Sequence, residues 1–316
     1  MSEPSYRRRF GDRKEGRRLR TVPALNQFEP YIMIERNDAC NQFSGAVEIS
    51  ETDRWLRAKR QEGYKGLGML HLFIAAYIRV VSQLPGLNRF VSGQRIYARN
   101  EILINMMVKR GITTESEETC AKVVFEPTDT IYDVYRKMNE AVEEIRASDD
   151  SGTEKVAGVL MKMPRLILKF AVWIIKLLDY FDLLPMSLLR VSPFHGSMIV
   201  TDLGSLGIPP IYHHLYNFGN LPVFLAFGAK RRVVELDRHG QPVEHKYVDY
   251  KIVCDERIVD GAYYAAAFKH LKYFLKNPPS SSTPRTRCST TSSKARPAPF
   301  GAGFLRLTRR RKCCKV

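Results

Sequence analysis

CDERIVDGAYYAAAFKHLKYFLKNP, residues 254–278, is the stretch that decides how this chain is read. It opens at the end of an alternating run, VDYKIVC, and becomes helix-like after Gly261. The DERIVDG turn between the two (255–261) carries acids, an arginine and a glycine. Asp260 stands where a carboxylate caps the first N–H groups of a helix. Taken alone, Glu256 is an acid beside a turn. Which of the side chains in this turn can move a proton is the question the stretch raises.

Outward from this turn the elements alternate in kind. VELDRHGQPVEHKYVDYKIVCD (234–255) reads as a hairpin turning at Asp237–Gln241. SMIVTDLG (197–204) and LPVFLAFGA (221–229) read as buried strands. AVEIS (46–50) and RIYARNEILINMMV (95–108) alternate as strands do. HLFIAAYIRVVSQL (71–84) has helical spacing and stops before Pro85-Gly86. Thr128 or Asp129 is expected to cap a helix with Ile131, Tyr135, Met138, Val142 and Ile145 on one face. This mixed order implies a large α/β sheet with helices on one side.

The most apolar stretch, LILKFAVWIIKLLDYFDLLP (166–185), has a longest uncharged core of six residues, FAVWII. A bilayer span needs about 20. We expect an amphipathic helix on the core, with an oligomer contact or an interfacial membrane helix as the alternatives, and no transmembrane segment.

The 316 residues carry a net charge of +17, from 50 Lys and Arg against 33 Asp and Glu. Ten of those cations, and no acid, lie in 277–316. The remaining body is only mildly basic, so no specific nucleic-acid partner is expected. Residues 1–20 form a basic N-terminal arm, expected to be mobile. Residues 21–278 form the folded domain. Residues 279–316, rich in Ser, Thr, Pro and Arg without apolar periodicity, form a tail expected to be disordered. The six cysteines make no CxxC, and nothing resembles a signal peptide, so a reduced cytoplasmic setting is the expectation.

Three segments then carry a resemblance: HLFIAAYIRVVSQLPGLNRFV (71–91), SPFHGSMIVTDLGSLGIPPIYHHLYNFG (192–219) and the opening stretch. Their order and residues resemble the catalytic domain of the dihydrolipoyl acyltransferases of 2-oxoacid dehydrogenase complexes, whose fold chloramphenicol acetyltransferase shares. The resemblance implies a chloramphenicol-acetyltransferase-like, two-layer α/β sandwich with a large mixed sheet. It implies a homotrimer with active sites between subunits, and acyl transfer between coenzyme A and an acceptor. It further implies a general base at the position of Glu256, where the family has histidine. Arg257 and Gly261 match the same motif. Asp260 matches the family's structural aspartate, for which Arg18 or Arg20 is the expected partner, and Thr201 matches the hydroxyl that stabilises the tetrahedral intermediate.

Glutamate is a demanding replacement. A thiol titrates near ~8.5 and a glutamate near ~4.3, so direct transfer is uphill by roughly 6 kcal/mol unless burial retunes the acid. Either Glu256 is a retuned base, or the chain is a catalytically inactive trimeric scaffold or binding protein that kept the fold. His213, His214 and His195 are the alternative bases. The adjacent pair, pointing differently and without a third ligand, implies no metal. Read without the family, Thr201 is an ordinary strand threonine and Asp260 a helix cap. No lipoyl-attachment domain is read in the chain, which argues against a conventional dehydrogenase-complex core.

Overall fold

The computed structural model describes residues 8–109, 118–147, 158 and 160–282. Its centre is a six-stranded sheet in the order β2-β9-β8-β7-β5-β6. The strands are β2 (Cys40–Glu48), β5 (Ile102–Lys109), β6 (Glu118–Phe125), β7 (Met198–Asp202), β8 (Val223–Leu236) and β9 (Pro242–Asp255). β7 runs parallel to β5 and β8, and every other pair is antiparallel. The sheet is therefore mixed.

Strand alternation sends one set of side chains to each face. Ile104, Met106, Val123, Val200, Leu225, Phe227 and Ile252 meet a layer of helices in the main core. That layer holds α2 (Ser50–Gln61), α3 (Met69–Gln83), α4 (Ile131–Ala147) and α7 (Gly261–Lys276). Phe73 of α3 stacks on Phe227 at 4.5 Å between centroids. The opposite face has a much smaller apolar cluster: Ile199, Phe224 and Val253 under Leu215 and Leu221. A small antiparallel sheet, β1 (Gly16–Arg18), β4 (Arg95–Arg99) and β3 (Arg89–Ser92), lies beside this core. α1 (Ala24–Ile32), α5 (Arg165–Tyr180), α6 (Met186–Val191) and α8 (Pro279–Ser282) are further helices of the α type. Among the described residues no helix is long and apolar enough to cross a membrane.

Several expectations shift. The run 95–108 is two strands in two different sheets, because Asn100-Glu101 separates them. β2 begins at Cys40 rather than Ala46, and Ser50 already opens α2. The cap of α4 is Thr130, whose hydroxyl accepts the Asp133 N–H at 3.3 Å while the Asp133 carboxylate accepts the Thr130 N–H at 2.9 Å.

The expected arm is in large part packed chain. β1 pairs with β4, and Arg13 is buried, donating to the Asp179 carboxylate at 3.0 Å. Residues 1–7 lie outside the described residues. At the other end the fold continues past Pro278: Ser281 is buried and its carbonyl accepts a bond from Arg79 at 3.5 Å. The expectation of disorder for the tail otherwise falls on 283–316, outside the described residues.

Candidate functional site

At the end of β9 the Asp255 carboxylate is fully buried. Arg257 grips it from two residues on, Nε to Oδ1 at 2.8 Å and Nη2 to Oδ2 at 2.7 Å. Two parallel bonds of this kind fix both geometry and charge. A second guanidinium, Arg36, approaches Oδ2 at 3.3 Å. Burial pushes Arg36 below its ordinary value, and the Asp255 charge opposes that push.

Arg36 is the residue that sequence reasoning missed, and it joins all three motifs. It donates to the carbonyls of Tyr216 (2.6 Å) and Gly219 (2.8 Å) in the second motif and to that of Val91 (3.4 Å) in the first, besides Asp255 in the third. No local spacing signals a pair 219 residues apart. Two glycines permit close approaches here, Gly219 within the second motif and Gly86 between the first and the third. A Cβ on Gly219, at φ +80°, would lie 2.2 Å from the Phe194 carbonyl oxygen. A Cβ on Gly86 would lie 2.7 Å from the Tyr263 ring, whose hydroxyl accepts the Gly86 N–H.

Glu256 sits between the two residues of the Asp255–Arg257 clamp. Its N–H donates to the Ala39 carbonyl at 2.8 Å, and its half-buried carboxylate accepts the Asn41 amide at 2.7 Å. The backbone is therefore held on both sides of it. Asp260, with Arg18 or Arg20 as its expected partner, is exposed and caps α7 by accepting the Tyr263 N–H at 2.8 Å. Arg20 instead pairs with Asp12 at 3.6 Å, and Arg18 lies in β1 opposite Tyr97. These arginines face a different surface, because β1 docks on β4 rather than on the turn. Gly261 is the first residue of α7.

Thr201 is elsewhere. It pairs with Ala226 of β8, which pairs with Lys251 of β9. Glu256 lies five residues beyond Lys251. At ~3.3 Å per residue and ~4.8 Å per strand, Thr201 and Glu256 are about 19 Å apart within one chain. The faces differ as well. Asn41, which holds Glu256, pairs with Cys254 of the helix-facing row, whereas Thr201 alternates with the helix-facing Val200. One chain does not bring the two to one substrate.

The histidines separate too. His213 stacks flat on Phe224 at 4.1 Å, over the face that carries Thr201. Burial, then the neighbouring His214, lowers its pKa, which favours the neutral ring. His214 is exposed against the edge of Tyr216. His195 is buried, with Nδ1 2.8 Å from Ser192 Oγ and Nε2 3.4 Å from Asp179 Oδ1. It is packed away from solvent, against the edge of the Phe218 ring. Among the described residues no group of three or more His, Cys, Asp or Glu is placed to hold a metal ion.

A cleft of about 380 Å³ opens at the Arg36–Arg257 node, lined also by Asp179, Lys176, Asn217 and Tyr180. Neither Glu256 nor Thr201 lines it.

No family model matches the chain, and no curated protein matches it. Solved structures do. A probable dihydrolipoamide acetyltransferase from Listeria monocytogenes aligns over 80% of this chain and 90% of its own, at 13% identity and a TM-score of 0.54. The cubic core of the pyruvate dehydrogenase multienzyme complex aligns over 86% and 94%, at 14% identity and 0.54. A chloramphenicol acetyltransferase aligns over 83% and 100%, at 11% identity and 0.51. Likeness at this identity defines the fold: a chloramphenicol-acetyltransferase-like α/β sandwich with a large mixed sheet.

Proposed function

We propose that the chain is an acyltransferase that moves an acyl group between coenzyme A and an acceptor. It acts as a homotrimer, and Glu256 of one copy works beside Thr201 of a neighbour. The observation that carries this reading is the combination of a pinned Glu256 with its ~19 Å separation from Thr201. The clamp of Asp255 and Arg257 holds Glu256 against the sheet edge at considerable cost in buried charge. A surface acid without a task needs no such support. Neighbouring copies bring the two halves of a site together where one chain does not.

In this mechanism one Glu256 oxygen stays on the Asn41 amide, which fixes the carboxylate's direction. The other takes the proton of the acceptor thiol, amine or hydroxyl as that atom attacks the thioester carbonyl. The Thr201 hydroxyl donates to the oxyanion of the tetrahedral intermediate. Collapse of the intermediate expels the coenzyme A thiolate, and the Glu256 proton returns to it. Asp260 and Gly261 shape the turn and stay outside the chemistry.

The test is thiol release from acetyl-CoA with dihydrolipoamide, small amines or small alcohols as acceptors. Glu256→Gln should lower transfer by roughly 10²–10⁴-fold while leaving the fold intact. Mixing inactive Glu256→Gln with inactive Thr201→Val subunits, under exchange, should restore a fraction of the activity. Full activity in Glu256→Gln would move the base to His213.

One observation favours a second reading, that of an inactive trimeric scaffold. The Asn41 amide already occupies one oxygen of Glu256, and a carboxylate is by nature a weak base towards a thiol. On that reading the wild type shows no transfer, and Glu256→His restores a trace.

A further inference from the structure

α5 is a 16-residue helix of which only Asp179 is buried. Leu166 is 81% exposed, Phe170 60% and Trp173 56%, and Leu177 continues the same strip. The Phe170 and Trp173 rings stack on one another at 5.9 Å rather than on the body. At 100° per residue, Leu166, Phe170, Trp173 and Leu177 fall within about 60° of arc. Arg165, Lys169 and Lys176 fall within about 40°, adjoining that strip. Among the described residues none of these three cations has an ion pair with an acid, and the helix's one acid is occupied. Asp179 is bound by Arg13 at 3.0 Å and lies 3.4 Å from His195.

An apolar strip with an aromatic centre, bordered by cations and free of exposed acids, is complementary to one kind of surface. Lipid headgroups that carry negative charge meet the cations, and the upper acyl region takes the rings. A second copy of this helix would bring like charges together along the border. The chain's net charge of +17 adds long-range attraction to the same surface. Asp179 and Tyr180 hold the helix to the body at its C-terminal end, through Arg13, His195 and the Tyr180 hydroxyl on Gln94 at 2.9 Å. The helix is therefore presented at a fixed angle, apolar strip outward.

We propose that α5 is a membrane-surface anchor. It lies in the interface of an anionic bilayer with Phe170, Trp173 and Leu177 inserted and Lys169 and Lys176 on the headgroups. This assignment rests on α5 alone and is independent of the acyl-transfer chemistry.

The probe is the full chain with vesicles of phosphatidylcholine containing a quarter phosphatidylglycerol, against pure phosphatidylcholine. With Trp55→Phe, residue 173 is the sole tryptophan. Its fluorescence should shift to the blue on anionic vesicles and be quenched by lipids brominated high on the acyl chain. Phe170→Glu with Trp173→Glu should lose at least about tenfold in vesicle affinity at 0.15 M salt, with an unchanged denaturation midpoint. Lys169→Glu with Lys176→Glu should weaken binding to anionic vesicles selectively. Retained affinity in the Phe170/Trp173 variant would assign binding to other basic segments and overturn the proposal. So would absence of quenching in the wild type. A fall in oligomeric mass in that variant, with no vesicle binding by the wild type, would make α5 a contact between copies and equally overturn it.

Discussion

α3 and α5 are two apolar helices of nearly equal length with opposite fates. Thirteen of the fifteen residues of α3 are buried, against one of sixteen in α5. Mean hydropathy barely separates them. α3 carries Ala75 and Ala76, small side chains that let neighbours come close, and it packs on α4, α7 and the sheet. α5 carries cations in one stripe and its rings on the outside. In each, one buried charge marks the attachment. Arg79 of α3 reaches the Ser281 carbonyl, and Asp179 of α5 receives Arg13. An apolar helix is thus buried according to what surrounds it, and the polar exception shows where it is tied down.

The comparison breaks first in the core. Phe73→Ala removes a ring stacked on Phe227 at zero exposure, and should cost about 3–5 kcal/mol in urea denaturation. A loss below 1 kcal/mol would place α3 in a looser environment than the structure gives it. Next is the tie of α5. Asp179→Asn takes from the buried Arg13 guanidinium its nearest carboxylate, with Glu15 at 3.6 Å and Asp182 at 3.8 Å remaining, and should cost about 3 kcal/mol. Burial raises the Asp179 carboxyl, but the bond and charge of His195 with the charge of Arg13 outweigh it and hold the pKa below its ordinary value. The tie therefore stabilises the fold above the ordinary carboxylate range and weakens as pH falls below it.

The third prediction sets the acid response of α3 against that. Burial pushes His71 down to about 4, from an ordinary 6.5. Its Nδ1 accepts the Gly68 N–H at 3.2 Å and so wants the neutral ring. The unfolded chain binds that proton first on acidification. Stability from the neutral ring is therefore full above about 6.5 and falls as pH drops towards 4, by about 3 kcal/mol in all. His71→Gln, whose amide oxygen can accept the same N–H, should remove this pH slope. An unchanged slope would assign it to other groups.

What the sequence made legible follows the same physics. Helical and alternating periods located α3, β7, the β8–β9 hairpin and the strand-to-helix turn, because each pattern is local. Glu256 was singled out by its place in the motif, and its position between Asp255 and Arg257 was already adjacent in the chain. Arg36 was not legible, since its partners lie 55 to 219 residues away. The role of Asp260 was legible in part. The cap is there, but the expected arginine partner is absent because the chain in and just after β1 carries Arg18 and Arg20 to another surface. Asp260→Ala should accordingly cost about 1 kcal/mol, the worth of an exposed N-cap. A cost above 3 kcal/mol would restore the arginine-pair reading.

The smallest expected effect lies on α5. Trp173→Ala removes a large side chain, and on apolar area alone it would rank with Phe73→Ala. The two differ in what the ring leaves behind. Phe73 leaves a cavity among atoms that cannot follow it, and the loss of contacts adds to the loss of transfer energy. Trp173, more than half exposed, touches chiefly Phe170, which is itself exposed, so no cavity forms. In vesicle-free buffer the change should stay within about 0.5 kcal/mol, as surface substitutions do. With anionic vesicles present the wild type should gain stability, because a surface that binds only the folded chain favours it by mass action. Trp173→Ala should gain less. A large loss in buffer alone would mean that α5 is already covered in solution, and the contrast with α3 would then be one of partner rather than of burial.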